Sequence, residues 1–306
     1  MNGNTVINVK DVTVKYKALT AVDNISFQVK DGEIFGIIGP NGAGKTSIVE
    51  CLEGLRKISG GKADVLGIDP SNRRELYKNI GAQLQEASFP DDIKVEELCR
   101  LFSSFYEKPA DYNMLLERFG LADKTKVYVK KLSGGQRQKV SIVTALIANP
   151  RIIFLDELTT GLDPQSRINM WELIKSLRDD GKTIFMTTHF MDEAEYLCDR
   201  VCMMVKGKIS AIGTVKELVA QADLNQKISL SCDNADMEAL LRIGGVAKIT
   251  RHNGILDIYG HGKNLLHDLV IYLTENDIKF DDLSFTKPGL EDVFLKLTGF
   301  RLEETV

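Results

Sequence analysis

Eight consecutive residues carry the clearest chemistry in the chain. Gly39, Pro40, Asn41, Gly42, Ala43, Gly44, Lys45 and Thr46 spell G-x-x-x-x-G-K-[ST]. Glycines let the backbone curl until successive N–H groups point inward, a cradle for phosphate oxygens. A helix beginning at Lys45 adds the positive end of its dipole. In such a loop the lysine reaches the β- and γ-phosphates of a nucleotide, and the hydroxyl of Thr46, or of Ser47 beside it, binds Mg2+. The bland alternative is a glycine loop with an incidental lysine. It does not explain why the loop follows a nearly continuous apolar run, EIFGIIG, and opens a helical pattern.

A second apolar run, Ile152-Ile153-Phe154-Leu155, ends in Asp156-Glu157. A buried strand that releases two carboxylates at its C-terminal end puts them where open α/β sheets bind ligands. Asp156 is placed to hold Mg2+ and Glu157 to polarise the attacking water as general base. Alone, a buried strand ending in acids is a common pattern; the phosphate loop gives it meaning. A third element, Leu132-Ser133-Gly134-Gly135-Gln136, sets a serine and two glycine amides at a helix start, again an anion site.

Positioning these groups takes a parallel sheet between helices. IIFLDE, EIFGIIG and TIFMTTH read as fully buried strands, and INVKDVTVKY and ISFQVK as half-buried ones. NIGAQLQ is a further strand. Helical spacing runs from Lys45 to about Leu55 and from about Val95 to Gly120, with Leu98, Leu101, Phe102 and Phe105 on one face. Ser133 to Ala148 and Pro164 to Leu177 are helices capped by Ser133 and Asp163. From residue 223 the character changes to strand, helix, strand, strand, helix, strand and a final helix over Leu290–Leu297, the split βαβ or ferredoxin-like order. The expected fold is a P-loop NTPase α/β core with an antiparallel β subdomain and a helical subdomain over 1–222. A small α+β domain over 223–306 completes it.

Composition narrows the function. The net charge of −4 disfavours a general nucleic-acid binder. The five cysteines form no CxxC pair, so a zinc ribbon or thioredoxin chemistry lacks support; Cys198 and Cys202 could lie one helical turn apart. The N-terminus is not a signal peptide, and no run reaches the roughly 18 apolar residues of a membrane span. Any path across a membrane is expected from another chain.

The phosphate loop, the Asp156-Glu157 strand and LSGGQ together resemble the ATP-binding cassette (ABC) family, over about residues 5–220. The resemblance implies a head-to-tail dimer sandwiching two ATP molecules, with Ser133, Gly134, Gly135 and Gln136 closing on the γ-phosphate held by the partner's loop. It implies that Tyr16 stacks on adenine and that Gln85 contacts Mg2+ and the attacking water. It also implies that Asp163, in Gly161-Leu162-Asp163, reaches across the dimer, and that His189 contacts the γ-phosphate. His252, His261 and His267 have no such context. Two positions depart from the family pattern: Leu158 replaces the usual proline, which could loosen the turn, and Thr46-Ser47 reverses the commoner hydroxyl order.

The same resemblance implies that residues between Gln85 and Leu132 form a groove for a cytoplasmic helix of a membrane-spanning permease, with Phe89, Phe102, Phe105 and Tyr106 as apolar candidates. The tail from Lys287 to Phe300 resembles cassettes of ABC-2 type exporters, which move drugs, antibiotics, polysaccharides or ions. The expected function is thus an ATP-hydrolysing transport motor, cytoplasmic and peripheral on the inner face of the cell membrane. The contrasting function is a non-transport ABC ATPase of translation or DNA maintenance. The chain carries one cassette and no long coiled coil, which sets it apart from those classes.

Overall fold

The structure is a computed structural model and describes residues 4–83, 89–90, 92–232 and 235–299. The chain forms two compact units, one up to Thr214 and one from Val215.

In the first unit, β1 (Thr5–Tyr16) and β2 (Leu19–Lys30) form an antiparallel hairpin whose alternation buries Ile7, Val9, Val12, Val14, Val22 and Phe27. β3 (Ile34–Ile38) is buried at every residue and leads through the phosphate loop into α1 (Lys45–Leu52). β4 (Gly60–Val65) joins the far side of β1, giving the order β2-β1-β4. The short helix α2 (Arg73–Leu76) precedes β5 (Ile80–Gln83).

The predicted helical stretch from Val95 to Gly120 is two helices, α3 (Val95–Ser103) and α4 (Tyr112–Arg118). Pro109 lies in the break, where it could not continue a helix, and Asp111 restarts the chain by accepting from Asn113 N. The inward face of α3 is Val95, Leu98 and Cys99. Leu101 and Phe105, expected beside Leu98, are 45% and 66% exposed.

The rest of the unit is α5 (Gly134–Ile147), β6 (Ile152–Asp156), α6 (Pro164–Asp179), β7 (Thr183–Thr188), α7 (Met191–Leu197), β8 (Arg200–Val205) and β9 (Lys208–Gly213). The main sheet runs β5-β6-β7-β3-β8-β9, parallel except for β9. Its apolar runs are buried on both faces, as parallel strands under helices must be. Phe27 of the small sheet stacks on Phe35 of β3 at 5.3 Å between centroids, and Phe35 on Phe185 at 5.7 Å. Stacked rings thus fix the small sheet to the strand that carries the phosphate loop. Cys198 ends α7 and Cys202 lies inside β8, so the two are not a helical pair; all five thiols are buried and free.

The second unit begins with α8 (Val215–Gln221), ahead of the boundary at 223 expected from sequence. It continues β10 (Gln226–Ser231), α9 (Met237–Leu241), β11 (Val246–His252), β12 (Ile255–Gly260), α10 (Leu265–Glu275), β13 (Asp281–Thr286) and α11 (Leu290–Thr298). Its antiparallel sheet has the order β11-β12-β10-β13. Leu265, Leu269 and Leu273 recur every fourth residue on α10 and pack over Ile228, Leu230, Leu256 and Ile258. Lys296 of α11 donates to the carbonyl of Ala222, just after α8, which draws these two helical segments together.

Candidate functional site

The sheet order sets the site. β6, β7 and β3 are neighbours, and all three run the same way. Their C-terminal ends therefore deliver Asp156-Glu157, His189 and the phosphate loop to one edge. The loop needs its glycines for space as well as curvature. A Cβ on Gly39 (φ 157°) would sit 2.1 Å from Met204 O, and one on Gly44 (φ 100°) 2.4 Å from Ala21 O. Lys45 is 4% exposed and folds back along the loop, donating to the carbonyls of Gly39 at 2.8 Å and Pro40 at 3.3 Å. Its ammonium also lies 3.2 Å from Glu157 Oε1. The cavity over the loop measures about 450 Å³ and is bordered by Tyr16, Leu19, Asn41, Lys45, Thr46 and Glu157.

The two acids behave differently although they are adjacent. Asp156 is 4% exposed, and burial pushes its carboxyl up. Donation from Thr187, and from Thr46 Oγ1 at 3.2 Å to Oδ2, works against that push. Glu157 is held below the ordinary carboxylate range by the His189 imidazole and by the Lys45 ammonium, which together outweigh its burial. His189 Nδ1 stands 3.6 Å from Glu157 Oε1, an electrostatic contact beyond hydrogen-bond length. The two neighbouring carboxyls are thus pushed in opposite directions, Asp156 up by burial and Glu157 down by the cations beside it.

Sequence reasoning missed what holds Glu157 in place. Its backbone is left-handed (φ 46°), and its N–H is 3.2 Å from both the carbonyl and the Oγ1 of Thr187. Thr187 is wholly buried, and its hydroxyl simultaneously donates to Asp156. One threonine on β7 thus positions both Asp156, the last residue of β6, and Glu157 just after it. The following turn is not loose despite the missing proline. Leu158 is fully buried, and Thr159 donates to Glu193 at 2.8 Å. Glu193 also accepts from the Trp171 indole at 2.9 Å. The double threonine before His189 was the available signal; nothing in the sequence marked Glu193.

Ser47 and Thr46 divide the hydroxyl work. Thr46 faces Asp156, whereas Ser47 Oγ lies 3.0 Å from the Tyr16 hydroxyl. Ser133 caps α5, its Oγ accepting from Gln136 N at 3.3 Å while Gln136 Oε1 accepts from Ser133 N at 3.1 Å, a reciprocal capping box. Ser133 and Gly134 are exposed, and none of this group borders the phosphate-loop cavity. The helix instead meets the segment after Glu157, with Gln138 donating to Thr160 O at 3.3 Å. Asp163 caps α6 by accepting from Ser166 N at 3.0 Å, and the Ser166 hydroxyl together with this N–H holds its carboxyl low. Gln85 lies outside the described residues.

Among the aromatic candidates, the rings of Phe89, Phe102 and Phe105 stand edge to face at 6.4 and 5.8 Å. Phe102 and Tyr106 line a hollow of about 220 Å³ with Glu53, Leu55 and Tyr77. No helix among the described residues is long and apolar enough to cross a membrane.

The family model described as ABC transporter matches residues 22–160. The chain is 35% identical to Nod factor export ATP-binding protein I of Neorhizobium galegae, across 97% of this chain and 86% of that one. It is 33% identical to a daunorubicin resistance ATP-binding protein of Streptomyces coeruleorubidus, across 96% of each. Among solved structures, an ATP-binding subunit of an ABC transporter aligns with a TM-score of 0.65 at 27% identity, over 71% of this chain and 93% of its own. A dimeric ATP-binding cassette holding ADP and Pi after hydrolysis aligns with a TM-score of 0.62 at 27% identity, over 68% and 98%. With its phosphate loop, paired acids and histidine gathered on one sheet edge, the chain belongs to the ABC transporter family as one of its ATP-binding, ATP-hydrolysing members.

Proposed function

We propose that this chain is the motor subunit of an ABC-2 type exporter. It closes on ATP with a second copy or a related subunit and works on the cytoplasmic face of the membrane through a permease. One observation carries the reading. Lys45, Thr46, Asp156, Glu157 and His189 meet at one sheet edge, while Ser133 and Gly134 stand exposed at the start of α5. The anion-binding helix start is thereby free for another chain's nucleotide. Export is supported by relatives whose names carry it and whose similarity runs almost the full length, beyond the first unit.

In this mechanism the loop amides and Lys45 hold the phosphates. Glu157, kept ionised beside Lys45 and His189, accepts the proton of the attacking water. Gln85 joins it at that water, Tyr16 packs on the base and Asp163 reaches the second chain. Magnesium fits the donor set: the Thr46 hydroxyl and the buried Asp156 carboxylate are hard oxygen donors 3.2 Å apart, and this ion takes one or two carboxylates plus phosphate oxygens. When bound it would neutralise phosphate charge.

Closing on ATP and reopening after hydrolysis drives the permease by differential affinity between states. The hollow beside Phe102 and Tyr106 receives the permease helix. The unit from Val215 is an accessory ferredoxin-like domain. Purification of the chain from detergent-solubilised native membranes tests the whole. A polytopic membrane protein at about a one-to-one ratio is expected; recovery only with ribosomal or DNA-bound partners would overturn the motor.

A further inference from the structure

Tyr16 is not a free-standing ring. It ends β1, in the small sheet, yet its hydroxyl is tied to the phosphate-loop helix: 3.0 Å from Ser47 Oγ and donating at 3.4 Å to Glu50 Oε2. Ser47 and Glu50 are three residues apart on α1, hence on one face. Over the ring, 4.1 Å from its centroid, lies the guanidinium of Arg56. Arg56 Nε donates to the same Glu50 Oε2 at 2.6 Å.

The backbone brings Arg56 there. After α1 the chain reverses at Gly54 (φ 72°), where a Cβ would meet Pro70 O at 2.2 Å. The N–H groups of Leu55 and Arg56 then both return to Glu50 O, at 2.8 and 3.0 Å. Arg56 and Tyr16 border different hollows. Tyr16 lines the phosphate-loop cavity, whereas Arg56 lines a separate hollow of about 910 Å³ with Lys57 and Arg73. Arg56 and Glu50 neutralise each other, so the pair adds no net charge to the nucleotide site.

We propose that Arg56 and Glu50 form a clamp that fixes Tyr16 as a rigid platform for the nucleotide base, at a set distance from the phosphate loop. The inference rests on the reading of Tyr16 as the base-stacking aromatic. A ring held by a cation over one face and by two hydrogen bonds at its tip loses little freedom when a base settles on its other face, so affinity for the base rises. Arg56 is a positioning residue, acting through Tyr16.

The test compares two ligands on the full chain: ATP, and inorganic tripolyphosphate, which has the phosphates without the base. Arg56→Ala should weaken ATP binding about three- to tenfold and raise KM with kcat little changed. Tripolyphosphate affinity should stay at the wild-type value, which also shows that the phosphate loop is folded. Arg56→Lys, keeping a cation over the ring, should recover part of the loss. Arg56→Ala added to Tyr16→Ala should cost nothing further. Equal weakening of both ligands, or additive losses in the double variant, would overturn the clamp. Wild-type ATP affinity in Arg56→Ala alone would overturn it and leave Tyr16 intact, whereas wild-type affinity in Tyr16→Ala would remove the base-stacking reading itself.

Discussion

Replacing Thr187 by valine probes the least obvious part of the site. The hydroxyl donates to Asp156 and receives the N–H of Glu157 at 3.2 Å, in a residue with no solvent exposure. Valine fills the same shape, so packing changes little. A hydrogen bond to a charged group contributes about 1.5–3 kcal/mol and a neutral one about 1 kcal/mol, so the lost pair should destabilise the fold by about 2–4 kcal/mol. Urea unfolding can be followed through Trp171, the single tryptophan, which is buried and bonded to Glu193. The transition should move to lower urea.

Turnover should fall further than stability alone explains. The N–H of Glu157, in its left-handed backbone, loses its side-chain partner while its contact with Thr187 O remains, and the base is pinned less firmly. A drop in kcat of about ten- to a hundredfold, with ATP affinity near wild type, is expected when a base loses its alignment. Thr187→Ser, which keeps the hydroxyl, should restore most of both. An unchanged unfolding midpoint together with unchanged kcat in Thr187→Val would refute the reasoning.

Glu157→Gln should bind ATP, stop hydrolysing it and accumulate as dimers on size exclusion; normal turnover would remove Glu157 as the base. Lys45→Ala should lose ATP affinity, because the buried ammonium is the cation of the loop, and a wild-type isotherm would contradict that role. Specific ATPase activity should rise with protein concentration, since each site needs two chains, and a flat response to nanomolar protein would exclude a weak dimer. Glu53 is 2% exposed, neither carboxylate oxygen has a hydrogen-bond partner, and burial, with Asp156 and Glu50 adding, pushes it up to about 8. The folded state therefore holds a proton that the unfolded state releases near 4.5, and stability is lost as pH rises through that interval. Between pH 5 and 8, Glu53→Gln should gain up to about 4 kcal/mol relative to wild type; parallel pH profiles would show that Glu53 ionises normally.

The geometry of the candidate site was legible where it lies in one contiguous stretch. Residues 39–46 and the Asp156-Glu157 strand end stand out because loop curvature and strand burial fall on the same few residues. Individual elements after residue 223 were legible too, since alternation along β10 and β12 and the four-residue spacing on α10 are local signals. What stayed hidden depends on contacts between distant segments. Thr187 reaches across from β7 to β6, Glu193 joins a turn to two helices, and Arg56 covers a tyrosine forty residues earlier. The break between α3 and α4 was masked because an apolar face at helical spacing runs through Phe102 and Phe105, although Pro109 stood within reach.

The capping box at Ser133 leaves one resource unspent. A hydroxyl carries one proton and two lone pairs. Inside its own molecule Ser133 uses a lone pair to receive Gln136 N, and Gln136 in turn satisfies the serine's own N–H. The proton of Oγ is committed to neither bond. It is free to be given to an incoming oxyanion while the helix keeps its cap, so the same residue can secure α5 and greet a guest without choosing between them.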